Sequence, residues 1–181
     1  MKHLRPFMRD LMIAAVAALV SLSARAHSAS DAYLTLAVQK ATGTGPATQT
    51  VVHGQWDIAL RDLDFVLKLD DNDDGEIVWS ELRSHQKAIS EYAYSYIRFT
   101  SDDKVCSAVP IRQAVDYHAD GAYAALFFNV LCSGAAKRMT LDYRMFFQID
   151  PSHRGILVLH SGENIATSVL SPQNARVELA L

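Results

Sequence analysis

The chain has 181 residues, half of them hydrophobic, and a formal net charge of −3 at pH 7. This length favours one well-buried domain over two. The slightly acidic balance argues against a nucleic-acid-binding surface, which needs a basic stripe with interleaved aromatic residues. After residue 26 no stretch is apolar over the roughly 20 residues that a membrane span requires, so no transmembrane segment is expected there.

Residues 1–26 have the pattern of a secretory signal peptide. A basic start precedes the apolar run Leu11 to Leu22, and Ala24-Arg25-Ala26 offers a small-x-small cleavage site. A membrane anchor is the alternative, although the apolar run is short for a span. Cleavage before His27 removes four of 17 basic residues and one of 20 acidic residues, which leaves a mature charge of −6. We expect a periplasmic or extracellular location for the mature domain, 27–181.

Two strands are predicted before the most informative stretch. Tyr33 to Val38 and Thr50 to Leu60 both alternate apolar and polar residues, which is typical of strands. The apolar period then changes from two to about 3.6, which predicts a short helix around Leu63 and a longer one from Leu82 to Tyr96. The sequence therefore predicts a helix-loop-helix insert at about residues 61–97.

Asp70 to Glu81, between these helices, fills the diagnostic positions of a twelve-residue EF-hand calcium loop. Ca²⁺ takes six to eight oxygen ligands, and such a loop supplies them from positions 1, 3, 5, 7, 9 and 12, with glycine at 6. Gly75 occupies the turn position, Ile77 is the expected hydrophobic anchor, and Val78 at position 9 implies a water ligand. The predicted Ca²⁺ ligands are Asp70, Asn72, Asp74, Glu76 (through its backbone carbonyl) and Glu81.

An acidic, solvated turn that binds nothing is the alternative interpretation of this loop. A run of acidic residues accounts for the carboxylates but not for the joint placement of Gly75, Ile77 and Glu81. Carboxylates this close together also repel one another unless a cation neutralises them. We therefore favour calcium, with the ion acting as a structural brace in a single hand.

Strand-like alternation returns after Phe99 and continues to the end of the chain. Asp120-Gly121 between alternating runs predicts a β-hairpin. Asp116 and His118 precede it and imitate positions 1 and 3 of a second EF-hand loop, but position 12 would be Phe127, which cannot coordinate a cation. The later predicted strands are Met139 to Phe147, Ile156 to His160, Ile165 to Leu170 and Ala175 to Leu181. The predicted fold class is mainly β, a β-sandwich of eight or nine strands with an inserted EF-hand helix-loop-helix.

Both cysteines, Cys106 and Cys132, lie in the part of the chain expected to be exported. An oxidising compartment permits a disulfide between them, and we expect one. A reactive thiol or a cysteine metal pair remains the alternative.

Several stretches resemble the exported N-terminal domain of bacterial membrane proteins related to the HupE/UreJ family. They are Asp-Ala-Tyr-Leu-Thr-Leu from Asp31, Gly-Gln-Trp-Asp-Ile-Ala-Leu-Arg-Asp-Leu-Asp from Gly54, the acidic loop, His-Ala-Asp-Gly-Ala-Tyr from His118, and Asp-Pro-Ser-His-Arg-Gly from Asp150. Those relatives continue into several transmembrane helices and are linked to hydrogenase and urease accessory functions, with nickel transport suspected. The resemblance implies an exported β domain and a membrane protein partner. It does not carry transport over to this chain.

The sequence contains no nucleophile elbow, zinc-binding helix pair or phosphate loop. Asp62 and Asp64 are explained by the favourable interaction of acids with a helix N-terminus. We therefore expect a non-enzymatic, calcium-binding accessory or interaction module, with an enzyme as a weaker alternative. The rival is a periplasmic Cu²⁺ or Ni²⁺ binding or delivery protein, because His27 as a new N-terminus would offer an amine and an imidazole to such ions.

Overall fold

The computed structural model describes residues 30–42 and 48–181. The predicted signal peptide, 1–26, and His27 lie outside the described residues. The strands are β1 (Asp31–Thr42), β2 (Gln49–Ala59), β3 (Ile97–Ser101), β4 (Lys104–His118), β5 (Gly121–Ser133), β6 (Arg138–Tyr143), β7 (Arg154–Ser161), β8 (Asn164–Leu170) and β9 (Arg176–Ala180), and the helices are α1 (Leu60–Leu67) and α2 (Trp79–Ser95).

The nine strands form one sheet with the order β8-β7-β1-β2-β5-β4-β3-β6-β9. Its two end strands approach each other, so the sheet curves into a nearly closed barrel. The mainly β class is thus confirmed, but the strands do not divide into the two separate sheets of the predicted sandwich. The reason is the length of β4, whose first residues pair with β3 while the rest pair with β5. One long strand therefore joins what would otherwise be two layers.

The strand pairs are antiparallel except for β1 and β7, which run parallel. This parallel pair brings the start of the described chain beside a strand more than a hundred residues later, with Asp31 opposite Arg154. The backbone N–H of Arg154 also donates to the carbonyl of Ser30 over 3.0 Å. The beginning of β1 is therefore fixed within the wall of the barrel.

The barrel interior and the inner face of the helical insert form one hydrophobic core. Trp56, Phe128 and Tyr143 fill the barrel, each essentially without solvent exposure. The predicted helical period is confirmed, because the buried positions of α2 recur at helical spacing and join this core. The buried residues that the insert contributes to the core are Leu60, Leu63, Leu69, Leu82, Ile89 and Ala93.

The β4–β5 hairpin turns at Ala119 and Asp120, as the sequence predicts. Near its far end the expected disulfide between Cys106 and Cys132 is present, with an S–S distance of 2.04 Å. Both residues are buried. The bond therefore closes the end of the hairpin opposite the turn, and no free cysteine is present in the described chain.

The strand predicted from Met139 to Phe147 is shorter in the structure, because β6 ends at Tyr143. Residues 145–149 form a turn in which Phe146 has a left-handed backbone, with φ of 60°. Met145, which extends the alternating pattern beyond Tyr143, is nevertheless buried, and so is Phe146. Among the described residues, no helix is long and apolar enough to cross a membrane.

Candidate functional site

The acidic loop joins α1 to α2 through a series of tight turns. Lys68, Asp73 and Gly75 all have positive φ, with 85° at Gly75. A Cβ added to Gly75 would meet no atom within 4 Å, so the backbone conformation rather than space favours glycine there. The sixth position of the loop therefore has the sharp turn that an EF-hand loop requires.

The side chains at the first, third and fifth positions accept hydrogen bonds from backbone N–H groups further along the loop. Asp70 accepts from Asp74 N at 3.2 Å and from Gly75 N at 2.7 Å. Asn72 accepts from Asp74 N at 3.0 Å, and Asp74 accepts from Glu76 N at 2.8 Å. These bonds hold three predicted ligand side chains against the loop backbone.

Glu81, the twelfth position, connects the two ends of the loop. One carboxylate oxygen accepts from the backbone N–H of Asp71 at 3.1 Å and the other from that of Val78 at 2.9 Å. The side chain is buried in spite of its charge. The bond to Val78 also caps the N-terminus of α2, where an acidic group interacts favourably with the helix dipole.

Asp64 in α1 fixes the start of the loop, a role that the sequence reading missed. Its Oδ1 accepts from Leu69 N at 2.7 Å and from Asp70 N at 3.1 Å. The helix-dipole explanation given for Asp64 therefore leaves out its main contacts. An acidic residue one helical turn before the end of α1 was the available signal, but only the left-handed turn at Lys68 brings the backbone back to it.

A cleft of about 320 Å³ separates the loop from the β4–β5 hairpin turn. Arg61 of α1 crosses it to form an ion pair with Asp120 at 3.2 Å, and the hydroxyl of Tyr123 donates to the same carboxylate. Ile77 lines the cleft and packs, half-buried, against the core. The ion pair of Arg61 with Asp120 and the packing of Ile77 therefore help to hold the insert against the barrel beside its loop.

A second group of ligand-type side chains lies on the barrel wall. Asp57, Asp116 and His118 place one ligand atom each within 4.8 Å of the others, and among the described residues this is the group of three His, Cys, Asp or Glu side chains that meets this spacing. The acidic side chains of the loop do not form such a group. In the sequence Asp116 and His118 imitate positions of a rejected second EF-hand loop, and no ligand role is expected for Asp57.

Ser30, His153 and Tyr143 form a largely buried row of hydrogen bonds, in which a serine hydroxyl lies beside an imidazole as in a catalytic Ser-His pair. The Ser30 hydroxyl donates to Asp62 Oδ2 at 2.9 Å and lies 2.7 Å from His153 Nδ1. His153 Nε2 lies 2.9 Å from the Tyr143 hydroxyl. Because the Ser30 proton points to Asp62, Nδ1 must carry the proton that joins the ring to Ser30. In this arrangement the ring has no free nitrogen that could accept a proton from Ser30.

Burial shifts the pKa values of His153 and of Asp62, which accepts the hydrogen bond from Ser30. It lowers the pKa of His153 to about 4, and it raises the pKa of Asp62 above its ordinary value. The neutral imidazole is therefore the form that the folded protein prefers, consistent with Tyr143 donating to Nε2.

No protein-family model matches this sequence, and no curated protein matches it significantly. The resemblance to the HupE/UreJ-related domains stays a prediction.

Proposed function

We propose that the protein is a non-enzymatic calcium-binding domain in which Ca²⁺ braces the helical insert against the barrel. The observation that supports this most directly is the conformation of Glu81, whose two carboxylate oxygens hold Asp71 at the start of the loop and Val78 near its end. A bidentate glutamate at this position closes the coordination shell of an EF-hand loop. The closing residue therefore already spans the loop.

The donor set suits a hard cation. Side-chain oxygens come from Asp70, Asn72 and Asp74, a backbone carbonyl from Glu76, and two oxygens from Glu81, with water at position 9, which gives an all-oxygen shell of the size that Ca²⁺ takes. Mg²⁺ demands a smaller octahedral shell and gives up water reluctantly. We expect the loop to prefer calcium for this reason.

The brace acts between elements that otherwise share little contact. Asp70 follows α1 and Glu81 belongs to the first turn of α2, so an ion held by both links the two helices. Asp64 holds Asp70 in place from α1, and Ile77 packs against the core. A cation in the loop would thereby stabilise the insert relative to the barrel without any change in the barrel itself.

Isothermal titration calorimetry tests calcium binding directly. The wild-type protein should bind one equivalent of Ca²⁺, with a dissociation constant of about 10⁻⁴ to 10⁻³ M, the range of extracellular EF-hand modules. Glu81→Gln should weaken binding at least tenfold, whereas Glu91→Gln, at an exposed position of α2, should not. Equal heats for wild type and Glu81→Gln would contradict the proposal.

Export and partnership complete the proposed role. The basic and apolar start of the chain supports secretion, and the resemblance to HupE/UreJ-related domains supports an accessory module beside a membrane protein. Mass spectrometry of the mature N-terminus tests the cleavage before His27 and, with it, the rival Cu²⁺ or Ni²⁺ chelate. Co-purification from native membranes tests the partner, and recovery only as a free monomer under mild conditions would count against it.

A further inference from the structure

We propose that Asp57, Asp116 and His118 form a second metal site, on the barrel wall, for a divalent first-row transition metal ion. This site lies on strands β2 and β4, whereas the proposed calcium loop lies between the two helices. Two carboxylates and one imidazole make a mixed oxygen and nitrogen donor set, which suits ions such as Zn²⁺ better than Ca²⁺. Three protein ligands leave further coordination positions to water or to a small anion.

The register of the sheet brings these side chains together. Asp57 lies on β2 opposite Ala125 of β5, and Ala125 lies opposite Ala114 of β4. Asp116 and His118 follow Ala114 at alternate positions and therefore share its face. The intervening strand carries only a methyl group at Ala125, so the carboxylate of Asp57 and the side chains from β4 meet across it.

The distances are close to those of a metal site. His118 Nε2 lies 3.3 Å from Asp57 Oδ2, and one ligand atom from each of the three residues lies within 4.8 Å of the others. Ligand atoms about 2.1 Å from a tetrahedral Zn²⁺ are about 3.4 Å apart. Rotation of the exposed Asp116 carboxylate is the main adjustment that an ion would require.

The imidazole is held in a fixed orientation by two aromatic rings. Tyr33 stacks on His118 with ring centroids 4.6 Å apart and an angle of 5° between the planes. Tyr123 packs against the ring at 4.3 Å. Ligands whose rotamers are locked by packing lose little freedom on binding an ion.

The electrostatics of Asp57 favour a cation. Its side chain is only 8% exposed, and its oxygens accept from the Gln55 amide at 3.0 and 3.2 Å. His118 Nε2 lies 3.3 Å from its Oδ2, while the neighbouring Asp116 adds a second negative charge. A carboxylate that is largely withdrawn from water and has a second carboxylate beside it is favoured by a nearby cation. A divalent ion would supply that positive charge.

Zinc titration with calcium present separates this site from the loop. With the loop kept saturated by Ca²⁺, calorimetry should find one equivalent of Zn²⁺ bound. Asp116→Asn and His118→Gln should each weaken it at least about tenfold, since even the loss of an outer-shell partner costs 10- to 100-fold. His53→Gln is the matched control, because His53 lies on the same strand as Asp57 and bonds to Asn129 instead. It should leave Zn²⁺ binding unchanged.

Nuclear magnetic resonance identifies the ligand. Zn²⁺ should shift the ring nitrogen signals of His118 in wild type and in Glu81→Gln, so that failure of the calcium proposal does not affect this result. Asp116 is exposed, so Asp116→Asn should remain folded even if His118→Gln does not. Absence of Zn²⁺ binding, or binding that both variants retain, would overturn the proposal and leave Asp57 and His118 as a hydrogen-bonded pair only.

Discussion

Asp64 Oδ1 accepts a hydrogen bond from the backbone N–H of Asp70, the first residue of the acidic loop, over 3.1 Å. The same oxygen holds the N–H of Leu69 at 2.7 Å. A side chain of α1 therefore fixes the backbone at the start of the loop. The first proposed Ca²⁺ ligand is oriented by a carboxylate that is not itself a ligand.

Asp64→Asn should destabilise the protein by about 1 kcal/mol, because hydrogen bonds to an ionised acceptor are about twice as strong as neutral ones. It should also weaken Ca²⁺ binding, since the backbone N–H of Asp70 loses the charged acceptor that fixes its position. Asp73→Asn removes the same charge from an exposed, non-ligand position of the loop. Denaturant unfolding and calorimetry of both variants measure the difference. Equal effects would mean that Asp64 acts only through its charge.

Gly54 on β2 leaves room for the ring of Phe128 on the neighbouring strand. A Cβ at Gly54 would lie 2.3 Å from Phe128 Cζ, and that ring is fully buried. Gly54→Ala should therefore destabilise the barrel by about 1 to 3 kcal/mol through overpacking. In the double variant Gly54→Ala/Phe128→Leu, the total loss should be smaller than the sum of the single losses. Additive losses in denaturant unfolding would contradict the close contact.

His153 should make stability depend on pH in a defined direction. Its pKa is lowered to about 4 by burial, so between about pH 4 and 6.5 the unfolded chain binds a proton that the folded chain does not. Stability from this residue is then complete above about pH 6.5 and falls as the pH is lowered, by up to roughly 3 kcal/mol.

The carboxyl groups of Asp57 and Asp62 act in the opposite direction. Burial raises their pKa values, so their contribution to stability is largest at low pH and is lost as pH rises through the folded pKa. Subtracting the pH profile of His153→Gln from that of wild type isolates the histidine. A ring titration near pH 6.5 in nuclear magnetic resonance spectra would refute the assignment.

Local patterns in the sequence were enough to predict the helical insert, the β4–β5 hairpin and the mainly β class. Each depends on neighbours along the chain: the alternation around Trp56, the 3.6-residue period through Leu82 and Ile89, and Asp120-Gly121 at the turn. The closure of the sheet has no such local signal. It depends on β1 pairing with β7 in parallel and on β4 being shared between β3 and β5.

The same distinction explains which site residues could be predicted. The proposed calcium ligands lie within twelve consecutive positions, so their spacing is visible in the sequence. Asp57 and His118 are 61 positions apart and meet only through the register of three strands. In the sequence Asp116 and His118 only imitate two positions of a second EF-hand loop, and their proximity to Asp57 could not be predicted without the pairing of β2 with β5.

If Ca²⁺ acts as a structural brace, it should increase the free energy of unfolding of the protein. If the dissociation constant is about 0.1 mM and free Ca²⁺ is about 1 mM, mass action stabilises the folded state by about 1.4 kcal/mol. Glu81→Gln keeps the shape of the closing side chain but removes its charge. The calcium-dependent part of the stability should therefore largely disappear, while the matched variant Glu91→Gln keeps it.

Differential scanning calorimetry of wild type and Glu81→Gln, each with calcium and with chelator, tests the central claim most directly. A higher melting temperature for wild type in calcium, with little difference between the two conditions for Glu81→Gln, is the predicted result. Identical wild-type scans in calcium and in chelator would contradict it and would mean that the loop is only an acidic turn.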